Sequence, residues 1–392
     1  MPPPAESRME PMLIREDNPE KESLADLAWQ LGQESPRIAS SQFSEVKGAV
    51  ARLVRAMNCY YSNLIEGHDT LPIDIDRALA NRFQEDQAQR DLQKEAMAHI
   101  EVQRWLDEED GLAEVGFSTA GIREIHRRFY GELPAHMHRV IHPTTQEPLP
   151  IIPGQFRETN VIVGRHVPVA PEDIQRCMDR WEGAYAQLPP RLLPVAAAAA
   201  HHRLLWIHPM LDGNGRVARL VTHAMLKKAI SGVELWSVSR GFAREKDRYK
   251  YLLECCDQPR RGDRDGRGQL SESSLVDFTR YFLNSALDQV RFMTETLKSD
   301  NFTRGLLEWI RSQPDIARGG KIIEQIILYG SVERGEVPAL LQMPERSARR
   351  VVQNLTDHFL LVSDSHRAPL RLNLPLHAAQ AVFPNMVPGN AV

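Results

Sequence analysis

A mainly α-helical fold is predicted for this chain, and three features predict it. Past Pro194, the run through five consecutive alanines to Leu204, Trp206 and Ile207 is apolar nearly all round, as a central buried helix is. Val217, Leu220, Val221 and Ala224 then recur at helical spacing and give a second helix its core face. Strand signals, by contrast, are short: Val161–Val163 between a Pro153-Gly154 turn and Gly164, and two apolar runs at 360–362 and 370–372.

Taken in order, residues 1–20 are rich in Pro, Glu and Met and are expected to form a disordered tail. Residues 21–117 form an N-terminal helical region. The core spans 118–300 and opens on Ser118-Thr119, an N-cap signal before an amphipathic stretch with His126 and Phe129. Within it, Pro259–Gly268 is a glycine-rich loop of mixed charge, open to a phosphate-binding role but better read as solvated. After about Asn301 the character changes. Thr303–Ile316 is predicted helical, Val337–Met343 leads into a second helix at Ala348–Phe359, and Asp364–Arg367 joins the two apolar runs that follow.

With 392 residues, of which 42% are hydrophobic, the chain can bury a large core in two or three domains. A net charge of −4 argues against a general nucleic-acid coat. No window is long and apolar enough to span a bilayer, and the Pro-rich start lacks a signal-peptide pattern. Cys59, Cys177, Cys255 and Cys256 show neither metal-ligand spacing nor a disulfide framework, so a cytoplasmic location is expected.

Chemistry concentrates in His208-Pro209-Met210-Leu211-Asp212-Gly213-Asn214-Gly215-Arg216-Val217-Ala218-Arg219. Gly213 and Gly215 allow positive φ and close approach of a ligand to the backbone. Successive N–H groups in such a turn, and the helix it opens, attract anions. Arg216 and Arg219 share a helix face and can grip phosphate oxygens. Asp212 offers a hard oxygen for Mg²⁺, and His208 is the natural proton acceptor near neutral pH. A polar turn between two helices is the plainer alternative, but too many demanding positions coincide for it.

This run closely resembles the signature of the Fic (Fic/Doc) family, His-Pro-Phe-x-Asp/Glu-Gly-Asn-Gly-Arg-x-x-Arg, with Met210 where the family usually has Phe. The resemblance implies a Fic-type helical core with a β-hairpin flap. Far upstream, Ser62 and Glu66 are four apart on a predicted helix that Gly67 ends. Beside the signature, they resemble the family's inhibitory motif, of the subclass that carries the inhibitory helix on its N-terminal side. Gly154–Gly164 resembles the flap, so Val161, Ile162, Val163 and Gly164 are expected against the nucleotide and the target segment. Tyr249 falls near a family tyrosine that lines the adenine pocket. Cys256 falls where some relatives carry a polar adenine contact. The C-terminal elements resemble a winged helix-turn-helix, a module that often ends long Fic proteins.

The family's activity is transfer of AMP from ATP to a Ser, Thr or Tyr hydroxyl of a protein, the chain itself included. His208 is then the base, Asp212 the Mg²⁺ ligand, and Gly213, Asn214, Gly215 and Arg216 the phosphate nest. Arg219 holds the γ-phosphate unless Glu66 occupies it. In some relatives the glutamate also serves removal of AMP. A homodimer is expected. Two alternatives stay open: transfer of UMP, phosphate or phosphocholine, and a nucleotide-sensing transcriptional regulator. DNA is a candidate partner through Arg346, Arg349 and Arg350 of the C-terminal module, although its acidic and basic residues nearly balance. No motif residue lies in that module, so the chemistry is expected not to need it.

Overall fold

The computed structural model describes residues 4–39, 46–68, 70–142, 145–379, 383 and 386. The N-terminal part comprises α1 Ala5–Arg8, α2 Lys21–Ala39, α3 Lys47–Glu66, α4 Pro72–Leu79, α5 Gln87–Asp107 and α6 Glu109–Val115. In the central part are α7 Thr119–Gly131, α8 Ile174–Tyr185, α9 Leu193–Ile207, α10 Asn214–Ala229, α11 Val238–Arg244, α12 Lys246–Cys256 and α13 Glu272–Thr296. The alanine run makes α9 the axis of the molecule: Ala196–Ala200 are all buried, and α10, α8 and α13 pack around it. Small side chains allow that close approach, and apolar burial on every side holds it. Helix α3 packs on α5 and α11, which brings its C-terminal end to the N-terminal end of α10.

Two short hairpins are present among the described residues. Strands β1 Arg139–Ile141 and β2 Pro148–Pro150 pair antiparallel, with Val140 opposite Leu149. The strand expected at Val161–Val163 does not form there. That segment is an irregular loop with a single bridge, Val163 to His166, around Gly164 at φ +60°. The cause is Arg157, whose guanidinium takes the carbonyls of Thr159 (2.8 Å) and Val169 (2.5 Å). Both ends of the segment are thereby tied to one side chain, and its β-branched residues have no neighbouring strand; Ile162 is 75% exposed.

The expected disordered tail is also corrected, residues 1–3 lying outside the described residues. Met9 and Met12 are buried, methionine being an adaptable filler of irregular core gaps. The segment's carbonyls satisfy buried donors: Met12 O accepts from the Tyr185 hydroxyl (2.6 Å) and Pro11 O from Arg203 Nη2 (2.9 Å). Arg15 Nε pairs with Glu272 at 2.8 Å, fixing the strap to α13. Composition alone marks polar, Pro-rich chain as unfolded, and misses this pairing.

At the C-terminal end lie α14 Ser299–Ser312, α15 Gly320–Tyr329, α16 Val337–Leu341 and α17 Glu345–Asp357, then β3 Leu361–Val362 and β4 Arg371–Leu372. The latter two pair antiparallel, and Val332 bridges Leu370 beside them. This module is fastened to α3 and α4. Asp76 of α4 accepts from the N–H groups of Leu376 and His377 (both 2.8 Å), and Arg52 of α3 donates to Leu372 O at 2.7 Å. No helix among the described residues is long and apolar enough to cross a membrane.

Candidate active site

The loop between α9 and α10 is built by its own residues. His208 ends α9 in the left-handed conformation (φ 51°, ψ 59°), its N–H donating to Leu204 O at 3.0 Å. Gly213, at φ 79°, begins α10. A Cβ at Gly213 would meet Cε2 of Tyr130 at 3.0 Å, so both its conformation and its space require glycine. The Asn214 side chain accepts from Met210 N–H and donates to Met210 O, each at 2.9 Å. Asn214 therefore closes the loop with its side chain and leaves only its backbone N–H toward a ligand. Met210 is fully buried beneath it.

Burial, with the neighbouring Arg157 guanidinium, pushes the His208 imidazole down to about 4. It is neutral at physiological pH and able to accept a proton. Arg157 itself is buried against carbonyls, donating to His208 O (Nε, 2.8 Å) as well as to Thr159 and Val169. Burial lowers this guanidinium to about 10. Through it, the segment 157–169 is hung on the same residue that ends α9. Arg157→Lys is expected to destabilise the protein by about 1–3 kcal/mol in urea unfolding, because a single ammonium cannot reach all three carbonyls.

Arg216 and Asp212 form a second cluster. Nη1 of Arg216 pairs with Glu95 of α5, Nη2 lies 3.3 Å from Asp212 Oδ2, and the guanidinium sits 5.1 Å over the Phe129 ring. Asp212 Oδ2 also accepts from the Tyr130 hydroxyl at 2.6 Å. Burial works against charge on Asp212, yet Arg216 and Tyr130 outweigh it and hold its carboxyl below the ordinary range. The Gly213 N–H is a further donor to this carboxylate.

A third cluster joins α3 to α10. Arg219 Nε donates to Ser62 Oγ at 2.8 Å, and Nη2 reaches Glu66 Oε1 at 2.5 Å. Against the cost of burial, Arg219 and then Arg216 hold the Glu66 carboxyl below its ordinary range. The carboxylate lies over Gly215, where any Cβ would collide with Oε1. Gly67 caps α3 at φ 91°, and Lys246 Nζ donates to Leu64 O at 2.7 Å, a cation at the negative end of that helix. The first and third clusters border one cavity of about 750 Å³, whose lining includes Glu66, Gly215, Arg219 and His208, while Asp212 and Arg216 lie outside that lining.

Residues 116–226 match the Fic/DOC family. That stretch of the chain is similar to the Fic/DOC family. It is 32% identical over 173 residues to a protein adenylyltransferase Fic of Nematostella vectensis, an alignment covering 43% of this chain and 37% of that one. With the Drosophila yakuba protein of the same name the identity is 30% over 201 residues, covering 50% and 37%. The chain thus spans under two fifths of the length of these curated relatives. Among solved structures, a Fic family protein from Desulfovibrio desulfuricans G20 shares the fold at TM-score 0.55 and 14% identity, covering 92% of this chain and 98% of that one. Fic-1 from C. elegans does so at TM-score 0.53 and 19% identity, over 71% and 74%.

Within this fold, Ser62 and Glu66 meet Arg219, Asp212 meets Arg216, and His208 shares the cavity lining with Glu66, Gly215 and Arg219. Of the flap residues, Val163 and Gly164 line the cavity, whereas Val161 and Ile162 do not. Tyr249 borders the cavity but is buried, its hydroxyl 2.7 Å from His201 Nε2 and its ring stacked on Phe242. Cys256 turns away: its thiol donates to Ser274 O at 3.3 Å in the core. Glu95, Tyr130 and Arg157 contribute to the site without a motif of their own, each reaching it from an element distant in sequence.

Proposed function

We propose that this protein is an adenylyltransferase that moves AMP from ATP to a Ser, Thr or Tyr hydroxyl of a protein and is held inactive by Glu66. The observation that carries the reading is the seat of the Glu66 carboxylate. An anion already occupies the space over Gly215 and against Arg219, which suits it to compete with a terminal phosphate for one guanidinium. His208, neutral and at the cavity wall, takes the proton of the hydroxyl as its oxygen attacks the α-phosphorus and pyrophosphate leaves. The N–H groups opening α10 and the Arg216 guanidinium stabilise the phosphate charge.

Asp212 fits Mg²⁺ as a single hard carboxylate oxygen. Among the described residues no group of three or more His, Cys, Asp or Glu gathers for a metal, so phosphate oxygens and water complete such a site, and the ion supplies charge neutralisation. The test is intact mass of the Glu66→Gly protein, alone and in a lysate of its own cell, after incubation with ATP and Mg²⁺. Addition of one AMP moiety is expected. Addition of phosphate alone, or of nothing to any protein, overturns the reading.

The C-terminal module reads as a winged helix-turn-helix, with α16 and α17 as the helix pair and β3–β4 as the wing. Arg346, Arg349 and Arg350 lie exposed on α17, which favours DNA as a second partner. Arg349 pairs with Glu345, however, which offsets one of the three guanidinium charges on that face. A salt-dependent mobility shift that survives His208→Ala separates this role from the transferase.

A further inference from the structure

The far end of the nucleotide cavity holds a hydrogen-bonded chain that transfer chemistry does not use. Arg203 is fully buried; Nε and Nη2 donate to Pro11 O at 3.2 and 2.9 Å, and Nη1 lies 2.5 Å from His202 Nδ1. Arginine has no acceptor, so His202 Nδ1 must accept and Nε2 must carry the proton. That Nε2–H donates to Asp257 Oδ1 at 2.9 Å. Burial drives the His202 imidazole down to about 4, which keeps it neutral and the tautomer fixed. Asp257 is thereby oriented with one oxygen committed to His202 and the other, Oδ2, 3.8 Å from His166 Nδ1.

His166 is similarly fixed. Its Nε2 lies 2.7 Å from Trp206 O and must be the donor there, so on the neutral ring Nδ1 is an acceptor. Asp257 and His166 both line the cavity that holds Glu66, Arg219 and His208. Two acceptors therefore face each other across a gap at the cavity wall. An amino group on the cavity side of the pair, rather than between its members, can donate one N–H to each across the 3.8 Å separation. Along α9, His202 precedes His208 by six residues, about 9 Å at the helical rise. That separation suits the reach of a nucleoside from its α-phosphate to the outer edge of its base.

We propose that Asp257, oriented by His202 and Arg203 and assisted by His166, reads the nucleobase by accepting from the exocyclic amine of adenine. The inference rests on the reading of this cavity as a nucleotide site. It also accounts for Cys256, which faces Ser274 in the core and leaves base recognition to its neighbour. Arg203 and His202 are positioning residues, since they act only through the carboxylate.

The test uses diphosphates, which leave the Glu66–Arg219 contact undisturbed. Binding of ADP, of IDP (a 6-oxo purine) and of purine riboside diphosphate (no group at that position) to the full chain is measured by calorimetry. The parent protein is expected to prefer ADP to each of the other two by roughly tenfold or more, the usual consequence of leaving a partly buried acceptor pair without donors. Asp257→Ala should level the three affinities while leaving that for purine riboside diphosphate near the parent value. Asp257→Asn gives a sharper outcome. His202 Nε2–H can donate only to the amide oxygen, so the amide NH₂ faces the cavity and IDP should overtake ADP. An ADP preference unchanged in both variants overturns the assignment while leaving the nucleotide site standing. Binding of none of the three overturns the assignment together with the reading on which it rests. A melting temperature for each variant confirms that loss of discrimination is not loss of fold.

Discussion

His208→Ala is expected to slow AMP transfer by about 10²–10⁴-fold, the usual effect of removing a general base, with ATP affinity nearly unchanged. The asymmetry follows from the geometry. Groups suited to phosphate lie from Asp212 to Arg219 and on the opening turn of α10, whereas His208, at the end of α9, lines the cavity with Gly215 and Arg219 without belonging to that turn. The experiment is done with Glu66→Gly also present, using ATP labelled at the α-phosphate, and near-parental labelling would sink the mechanism. The pH profile gives a second readout. Because burial and Arg157 push His208 down to about 4, protonation removes the base only as pH falls through about 4. An imidazole at the ordinary value would instead lose roughly 25-fold between pH 7 and pH 5. The acid limb of kcat/KM, which reports the free enzyme, should therefore be nearly flat across that interval.

The parts of the site legible in the sequence are those whose chemistry is local. Gly213, Gly215, Arg216 and Arg219 lie within seven residues, and a turn that opens a helix allows them few arrangements. Glu66 is recognisable only because Ser62 and Gly67 fix its helical phase and its stop, and because the loop it meets has a signature. Glu95, Tyr130 and Arg157 carry no such mark. Each is an ordinary residue type whose role comes from packing: α5 delivers Glu95 to Arg216, and α7 delivers Tyr130 to Asp212. Arg157 sits in the segment read as a strand, and it is the reason the strand fails. Counting β-branched residues at Val161–Val163 captures their propensity but not the absence of a partner, and β propensity expresses its neighbours more than itself. The N-terminal strap fails for a related reason. Met9, Met12 and Ile14 are too few to announce a core, but they fill one made by α2, α8 and α9. Asn214 was legible as part of the loop and not as its clasp, since an amide can serve either the ligand or the backbone.

Glu66→Gly is expected to raise AMP transfer well over tenfold. The carboxylate is held by Arg219 at 2.5 Å, that guanidinium is fixed by the Ser62 hydroxyl, and the last turn of α3 is fixed by Lys246, which donates to Leu64 O. While that contact persists, Arg219 Nη2 is taken by Glu66 and Nε by Ser62, so neither is free for a γ-phosphate. ATP must then bind with its phosphates displaced, and its α-phosphorus is out of line for attack. Misplacement by about 1 Å can cost on the order of 10²-fold, which sets the scale of the gain. Removing the carboxylate also clears the space over Gly215, so the helix N-terminus becomes available to the phosphates. Adding Arg219→Ala should cancel the gain, because both changes act through one contact and cannot be additive. The assay must follow loss of label from a modified target as well as its appearance, since a glutamate in this place can also orient a water for AMP removal. Slower removal would raise net labelling without faster transfer, and initial rates distinguish the two. Forward rates equal to or below those of the parent, with ATP affinity and unfolding midpoint unchanged, would mean that Glu66 merely pairs with Arg219 to hold α3 on α10 and does not restrain the reaction.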